Sequence, residues 1–377
     1  MIDAMFTLYE KSEDVDYLEV DVLKKDQKYA VALLKQKIAA ESDNGLWRVF
    51  LGALYQEIHN YSAAVSIMDG LIEEYGFDED LLEERADCYD EMGMFEMALA
   101  DINKAMELSD EKNHPYYYAR RSEICRYAGM YEQAIADLEK YIERYPTDAY
   151  GYYARGWCKE LSRDLEGAME DYNEGIAVDE DYPYIYLMRG EIYLKRGMTQ
   201  EANMDFEQVI QKDTIVEDGT CRQYALHFLG RDNEALEWMD KLIDTDTDDP
   251  GHWYDKSCLL ARMGRLEESV AALQTSFEKG YRKFAHIEHD DDIDPIRDRD
   301  DFKSLITQYK AVLESEMEKY GDDAENEDEK IVSEIDMKKM YGGTYEIPCS
   351  VNGLPLKMIF DTGASDVTIS SVEASFM

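Results

Sequence analysis

The chain has 377 residues, and 84 Asp and Glu stand against 40 Lys and Arg, a formal net charge of -44. Its 45% of hydrophobic residues is enough for a core, which excludes wholesale disorder, and the charge excludes a broad grip on nucleic-acid phosphates. No apolar run approaches the roughly 18 residues of a membrane span, and the N-terminus lacks a basic segment followed by an apolar one, so a cytoplasmic protein is expected.

In chain order, the first organised feature is a repeat. A small residue follows an aromatic-containing turn pattern at Ala64, Ala98, Ala134, Ala168, Ala202, Ala235 and Ser269, with spacings of 34, 36, 34, 34, 33 and 34. Five residues earlier stands Gly93, Gly129, Gly197, Gly230 or Gly264, with His59 and Arg163 as exceptions. Twelve residues earlier stands Gly52, Ala86, Ser122, Gly156, Gly190 or Ser257, with Gln223 the misfit. This is the pattern of a helix hairpin: small residues let two helices approach, and the glycine supplies a left-handed cap to the first. Each hairpin has too little interior alone, so stacked neighbours build the core.

The pattern resembles the tetratricopeptide repeat family over about residues 45–283, with a degenerate earlier copy around Tyr29 and Ala32. An all-α fold is expected, a right-handed superhelical solenoid of helix hairpins with a short incomplete β segment at the C-terminus. The expected organisation is a degenerate repeat or cap over 1–44, seven repeats over 45–283, and a closing segment with a capping helix over 284–320. An acidic linker over 321–341 and a separate segment over 342–377 follow. The capping helix is read from Phe302, Leu305, Ile306, Tyr309, Val312, Leu313, Met317 and Tyr320, which share one face.

Several residues invite a functional reading that a structural one displaces. Arg85, Arg121, Arg155, Arg189, Arg222 and Lys256 recur with the repeat, and Asp101, Asp137, Asp171 and Asp205 follow the first four after 16 residues. That interval crosses from one helix of a hairpin to the other, so internal ion pairs are expected in place of an anion-binding stripe. Cys88, Cys125, Cys158, Cys221 and Cys258 fall in different repeats without a C-x-x-C pair and read as packing residues. Asp244, Asp246 and Asp248 open like a calcium loop, but Asp249 and Pro250 break the pattern and leave a solvated turn. His286, His289 and Asp290–Asp292 lack helical ligand spacing, so no metal and no cofactor is implied.

The resemblance implies a ligand surface on the concave face, lined by first helices. By position it places Tyr116, Tyr127, Tyr150, Tyr153, Trp157 and Tyr184 there, beside Asp80, Glu83, Asp87, Asp90 and Glu91. An acidic stretch next to an aromatic one suits a protein or peptide partner with basic and apolar residues. About half of the tyrosines are expected to pack between repeats instead. Val49, Ala53, Glu83 and Asp87 occupy the leading positions of the family's carboxylate clamp, which disfavours a receptor for acidic chaperone tails.

After the acid-rich run Gly321–Asp336 the pattern becomes strand-like. Tyr345–Val351 leads into Asn352-Gly353, a strong hairpin signal, then Leu356–Phe360 runs into Asp361-Thr362-Gly363-Ala364-Ser365, and Val367–Ile369 reads as a further strand. This segment resembles the N-terminal part of a retropepsin-like aspartic protease domain. The resemblance implies a catalytic role for Asp361, with Thr362 and Gly363 shaping its loop. Two such carboxylates sharing a proton are needed, so a homodimer is implied only for a complete domain. With 36 residues from Gly342 onward, the segment is expected to be inactive by itself, and the chain reads as a scaffold. The alternative is an aspartic endopeptidase with a repeat arm, here in shortened form.

Overall fold

The computed structural model describes residues 23, 26–41, 45–110, 112, 114–216, 220–330, 338–339, 344–351 and 354–361, with side chains to residue 315. It falls into two compact units, 1–314 and 315–377. In the first unit, α1 (Gln27–Ala40) packs against α2 (Leu46–Glu57), the first helix of seven consecutive hairpins. With its partner α3 (Tyr61–Tyr75) it is followed by α4 (Glu79–Glu91) with α5 (Phe95–Leu108), and α6 (His114–Tyr127) with α7 (Tyr131–Arg144). Then come α8 (Ala149–Leu161) with α9 (Leu165–Val178), and α10 (Pro183–Lys195) with α11 (Thr199–Lys212). The array ends with α12 (Arg222–Phe228) and α13 (Asp232–Thr245), then α14 (Pro250–Arg262) and α15 (Leu266–Lys279). The expected helical solenoid is therefore present.

The repeat positions do what their chemistry requires. Ala64, Ala98, Ala134, Ala168, Ala202, Ala235 and Ser269 are all fully buried. A Cβ on Gly156 or Gly190 would lie 2.5 or 2.6 Å from the ring of Tyr172 or Phe206 on the facing helix, so only glycine permits that approach. The turn glycines adopt φ of 72–75°, and His59 and Arg163 take the same left-handed turn at 56° and 71°. The turn geometry thus persists where the glycine does not.

The sixth hairpin departs from the others. Its first helix has only seven residues, because the chain before it is held open by Asp213. That carboxylate accepts from the Thr220 hydroxyl and the Cys221 and Arg222 amides at 2.7, 2.7 and 2.9 Å, and Gln223 turns its amide back onto the Thr220 carbonyl at 3.0 Å. A long polar side chain at a position reserved for a small one is accommodated by this local bonding.

Each of the four arginine–aspartate pairs forms. Nε and Nη2 of Arg85, Arg121, Arg155 and Arg189 donate to both oxygens of Asp101, Asp137, Asp171 and Asp205 at 2.7–3.0 Å. Nη1 often reaches the preceding hairpin as well: from Arg85 to Asp69 at 2.7 Å, from Arg121 to Asn103 at 2.6 Å, and from Arg189 to Asn173 at 2.9 Å. The guanidinium fork thereby ties neighbouring repeats together. The five repeat cysteines are free and buried. Asp249 caps α14, accepting from the Gly251 and His252 amides at 2.6 and 3.3 Å.

After α15 come α16 (Phe284–His289), a 3-10 turn (Asp291–Ile293), α17 (Asp294–Arg297) and α18 (Asp300–Lys330). Phe302, Leu305, Ile306, Tyr309 and Leu313 pack onto the last hairpin's core around Phe277 and Phe284, while Val312 stays 36% exposed and the side chains of Met317 and Tyr320 lie outside the described residues. In the second unit, β1 (Lys338–Lys339), β2 (Thr344–Val351) and β3 (Leu354–Asp361) form an antiparallel sheet. β2 and β3 pair from Val351 opposite Leu354 to Thr344 opposite Asp361. Thr362, Gly363 and Val367–Ile369 lie outside the described residues.

Candidate functional site

The groove is built by the first helices of the repeats and by the closing segment, which the chain folds back between them. α16 packs against α6. Lys283, 5% exposed, is inserted between Asp90 and Glu91 at 3.0 and 2.9 Å, with its Nζ 4.1 Å from the centre of the Tyr127 ring. The His286 ring meets Tyr127 edge to face at 5.2 Å, and His289 meets Tyr131 at 6.1 Å. Arg163 donates to Asp291, Tyr254 donates to Asp290 at 2.7 Å, and Arg262 pairs with Asp292 and with Glu191. The sequence reads 284–320 as a closing segment and capping helix; nothing periodic marks the partners of Lys283, Asp290, Asp291 and Asp292, which lie 30 to 193 residues away.

This placement changes the expected acidic stretch. Glu83 accepts from the Tyr116 hydroxyl, Asp87 from Arg120, and Asp90 from Lys283, whereas Asp80 is exposed in the first turn of α4. The carboxylates are thus matched by cations and hydroxyls of this chain. Burial pushes Asp87 up to about 6, against the opposing charge of Arg120. Tyr116 is 46% exposed at the rim.

The expected aromatic stretch is brought together. Tyr127, Tyr153, Trp157 and Tyr184 line a cavity of about 480 Å³ together with Tyr224, Tyr254 and residues of the closing segment. Tyr150 joins Tyr153, Trp157 and Tyr184 on an adjoining cavity of about 280 Å³, with its hydroxyl donating to Glu123 at 2.7 Å.

Two charged side chains lining these cavities were missed in the sequence. Arg126 is 8% exposed, its guanidinium carbon lying 3.8 Å from the Trp157 ring centre and 4.1 Å from that of Tyr127. Its Nη1 has no hydrogen-bond partner, and no carboxylate pairs with it among the described residues. Stacking on two aromatic faces returns about 2 kcal/mol when desolvated, comparable to the roughly 1–3 kcal/mol that an unsatisfied buried donor costs. Among the described residues Asp255 has no side-chain partner either; burial, reinforced by Asp249, Asp290 and Asp292, pushes it up to about 7. Asp292 is also raised, by burial and against Arg262. Burial lowers His286 to about 4, so it is neutral at physiological pH. Neither Arg126 nor Asp255 shares the repeat phase of the paired residues, which is why the pattern did not expose them. Among the described residues no group of three or more His, Cys, Asp or Glu has metal-binding geometry. No helix there is long and apolar enough to cross a membrane.

Comparison with known proteins agrees with the repeat geometry. Residues 80–112, 124–148 and 184–213 match tetratricopeptide repeat profiles, and 164–197 match a TPR repeat profile. The hairpin array and these matches together identify tetratricopeptide repeats in the chain. The chain is 23% identical over 190 residues to a TPR repeat-containing protein of Methanocaldococcus jannaschii, covering 48% of this chain and 33% of that protein. It is 26% identical over 139 residues to DnaJ homolog subfamily C member 7 of Mus musculus, covering 36% and 28%. The aligned regions span about a third of the length of these curated relatives. Among solved structures, a tetratricopeptide repeat protein of Parabacteroides merdae aligns with TM-score 0.42 and 15% identity, covering 68% of this chain and 96% of that one. YrrB, described as a TPR protein with an unusual peptide-binding site, aligns with TM-score 0.39 and 17% identity, covering 48% and 95%.

Proposed function

We propose that the chain is a protein-interaction scaffold whose groove receives a segment carrying basic and apolar residues. The observation that carries this reading is Asp255, a carboxylate without a side-chain partner among the described residues, in a tyrosine-walled cavity and crowded by Asp249, Asp290 and Asp292. Crowded carboxylates in a desolvated cavity are relieved by an incoming ammonium or guanidinium, and tyrosine walls supply contact area at low entropic cost. Tyr127, Tyr153, Trp157 and Tyr184 would give that contact, with Tyr116, Tyr150 and Asp80 at its margins. Glu83, Asp87 and Asp90 would act indirectly, by holding Tyr116, Arg120 and Lys283.

The test is fluorescence anisotropy with two labelled peptide pools of equal length, one rich in Lys, Arg, Leu and Phe and the other in Asp, Glu, Leu and Phe. The basic pool should bind more tightly, and Asp255→Asn should weaken it about 10-fold. Equal binding of both pools, or no effect of Asp255→Asn, would remove this reading.

A second reading concerns residues 342–377. The antiparallel pairing of β2 with β3, ending at Asp361, is the observation favouring an incomplete retropepsin-like module. In that reading Asp361, Thr362 and Gly363 are catalytic-loop remnants, and the chain should cleave a peptide library no faster than its Asp361→Ala variant. Turnover that this substitution abolishes would instead establish an active peptidase.

A further inference from the structure

We propose that the cavity beside Arg126 is a binding site for a carboxylate carried on an aromatic or branched aliphatic body. This goes beyond the scaffold reading and stands whether or not the groove takes a basic segment.

Three observations converge on the site. The first is the unused charge. Arg126 is held rigidly between the Trp157 and Tyr127 rings, buried, with Nη1 unsatisfied. A guanidinium is permanently protonated, so it cannot escape the cost of burial by losing its proton. The nearby carboxylate of Glu123 does not neutralise it, because Glu123 accepts from Arg120 and from the Tyr150 hydroxyl. Little more than a helical turn earlier, Arg121 has both oxygens of Asp137. The absence of a carboxylate partner among the described residues is therefore a feature of Arg126 and not of the helix.

The second is the supply of further donors. Tyr153, Tyr182 and Tyr184 line the same cavity, and among the described residues their hydroxyls make no hydrogen bond with protein. Their rings brace one another at centroid separations of 5.5, 5.7 and 5.8 Å. One fixed guanidinium with phenolic O–H groups around it matches the acceptor-only chemistry of an ionised carboxylate.

The third is shape. At about 280 Å³ the cavity lies at the lower end of ligand pockets, which suits one ring or branched side chain with its acid group. Aromatic walls take the apolar body, and the single cation sets the charge at one. A dianionic phosphate would leave its second charge facing Glu123 in a strongly acidic protein.

The experiment uses the full chain, isothermal titration calorimetry and Trp fluorescence, with phenylacetate against its neutral counterpart phenylacetamide. A second pair distinguishes a peptide source from a free acid: acetyl-Leu-Glu-Phe-amide against the same peptide with Gln. Saturable binding of at least one acid, about 10-fold or more above its neutral counterpart, is expected, and the better acid identifies the source. Arg126→Met should abolish that preference while leaving the helical circular dichroism intact, and Arg126→Lys should retain part of it. Tyr182→Phe, which removes one donor without altering the wall, should weaken the acid several-fold and leave the neutral ligand unchanged; it also serves if Arg126→Met fails to fold. No saturable binding of either acid up to about 10 mM, equal binding of acid and neutral forms, or a preference that survives Arg126→Met would each overturn the proposal.

Discussion

Arg121 and Arg126 lie on the same helix, yet one belongs to the ladder between repeats and the other to the groove. Arg121 has a bidentate aspartate 16 residues ahead and an asparagine in the preceding hairpin. Arg126 has two aromatic faces and no counter-charge among the described residues. The ladder satisfies charge locally and identically in successive repeats, so each pair is part of the architecture. The groove satisfies charge with a distant segment at Asp90 and Arg163, or, among the described residues, leaves Arg126 and Asp255 without an opposing charge. Period-matched pairing marks the ladder between repeats, and charges outside that period are either docked by the closing segment or lie in the groove proposed to take ligands.

Substitution of the two arginines is the strongest way to break that contrast. Arg121→Leu strands Asp137, whose side chain is 2% exposed, with Lys140 at 3.6 Å as the remaining cation. A buried carboxylate left in this way costs about 2–4 kcal/mol. Arg126→Leu removes an unsatisfied donor and keeps apolar contact with Trp157, so stability should change by less than about 1 kcal/mol, in either direction. Urea denaturation followed by circular dichroism measures both, and equal losses would show that the ladder and the groove are not energetically distinct.

The same contrast explains what could be read from the sequence. The hairpins, their turns and the four ion pairs follow from short-range regularity: a period near 34, an offset of 16, and a cap that His59 and Arg163 adopt even without glycine. The aromatic lining was also legible, because Tyr127, Tyr153, Trp157 and Tyr184 occupy equivalent faces of consecutive first helices. The docking of Lys283 against Asp90 was not, since a contact across 193 residues leaves no periodic trace. Consequently an acidic stretch that looked open to a partner is largely engaged by the chain itself. Asp213 was hidden for another reason: its three hydrogen bonds shorten α12 through a local turn that the average repeat lacks.

Lys283→Met sharpens the role of the closing segment. It would remove a buried cation and leave Asp90, 6% exposed, without it. Because the last hairpin's core around Phe277 and Phe284 remains, the loss should be concentrated in docking, at about 1–2 kcal/mol. Amide hydrogen exchange over 284–297 should then quicken about 10-fold or more, while the amides of α8 and α9 keep their protection. Uniform acceleration along the array would mean that the segment is integral to the fold instead of docked on it.

The smallest effect tests the charge crowding itself. Asp255 sits near 7 when folded, against an ordinary value of 3.8, so between those limits the native state binds more protons than the unfolded chain. Stability should therefore fall as pH rises through that window. His286 works in the opposite sense: lowered to about 4 from 6.5, it makes acidification unfavourable below 6.5. Between pH 7.5 and 6.5 the carboxylate dominates, so Tm should rise on mild acidification, and the acidic surface adds in the same direction. Asp255→Asn keeps the shape and removes the charge. It should raise Tm at pH 7.5 by about 2 °C, an effect of about 1 kcal/mol, and change little at pH 5, where Asp255 is already protonated. A variant that lowers Tm at pH 7.5 would show that Asp255 has a favourable counter-charge, and would remove the reason for expecting a basic ligand beside it.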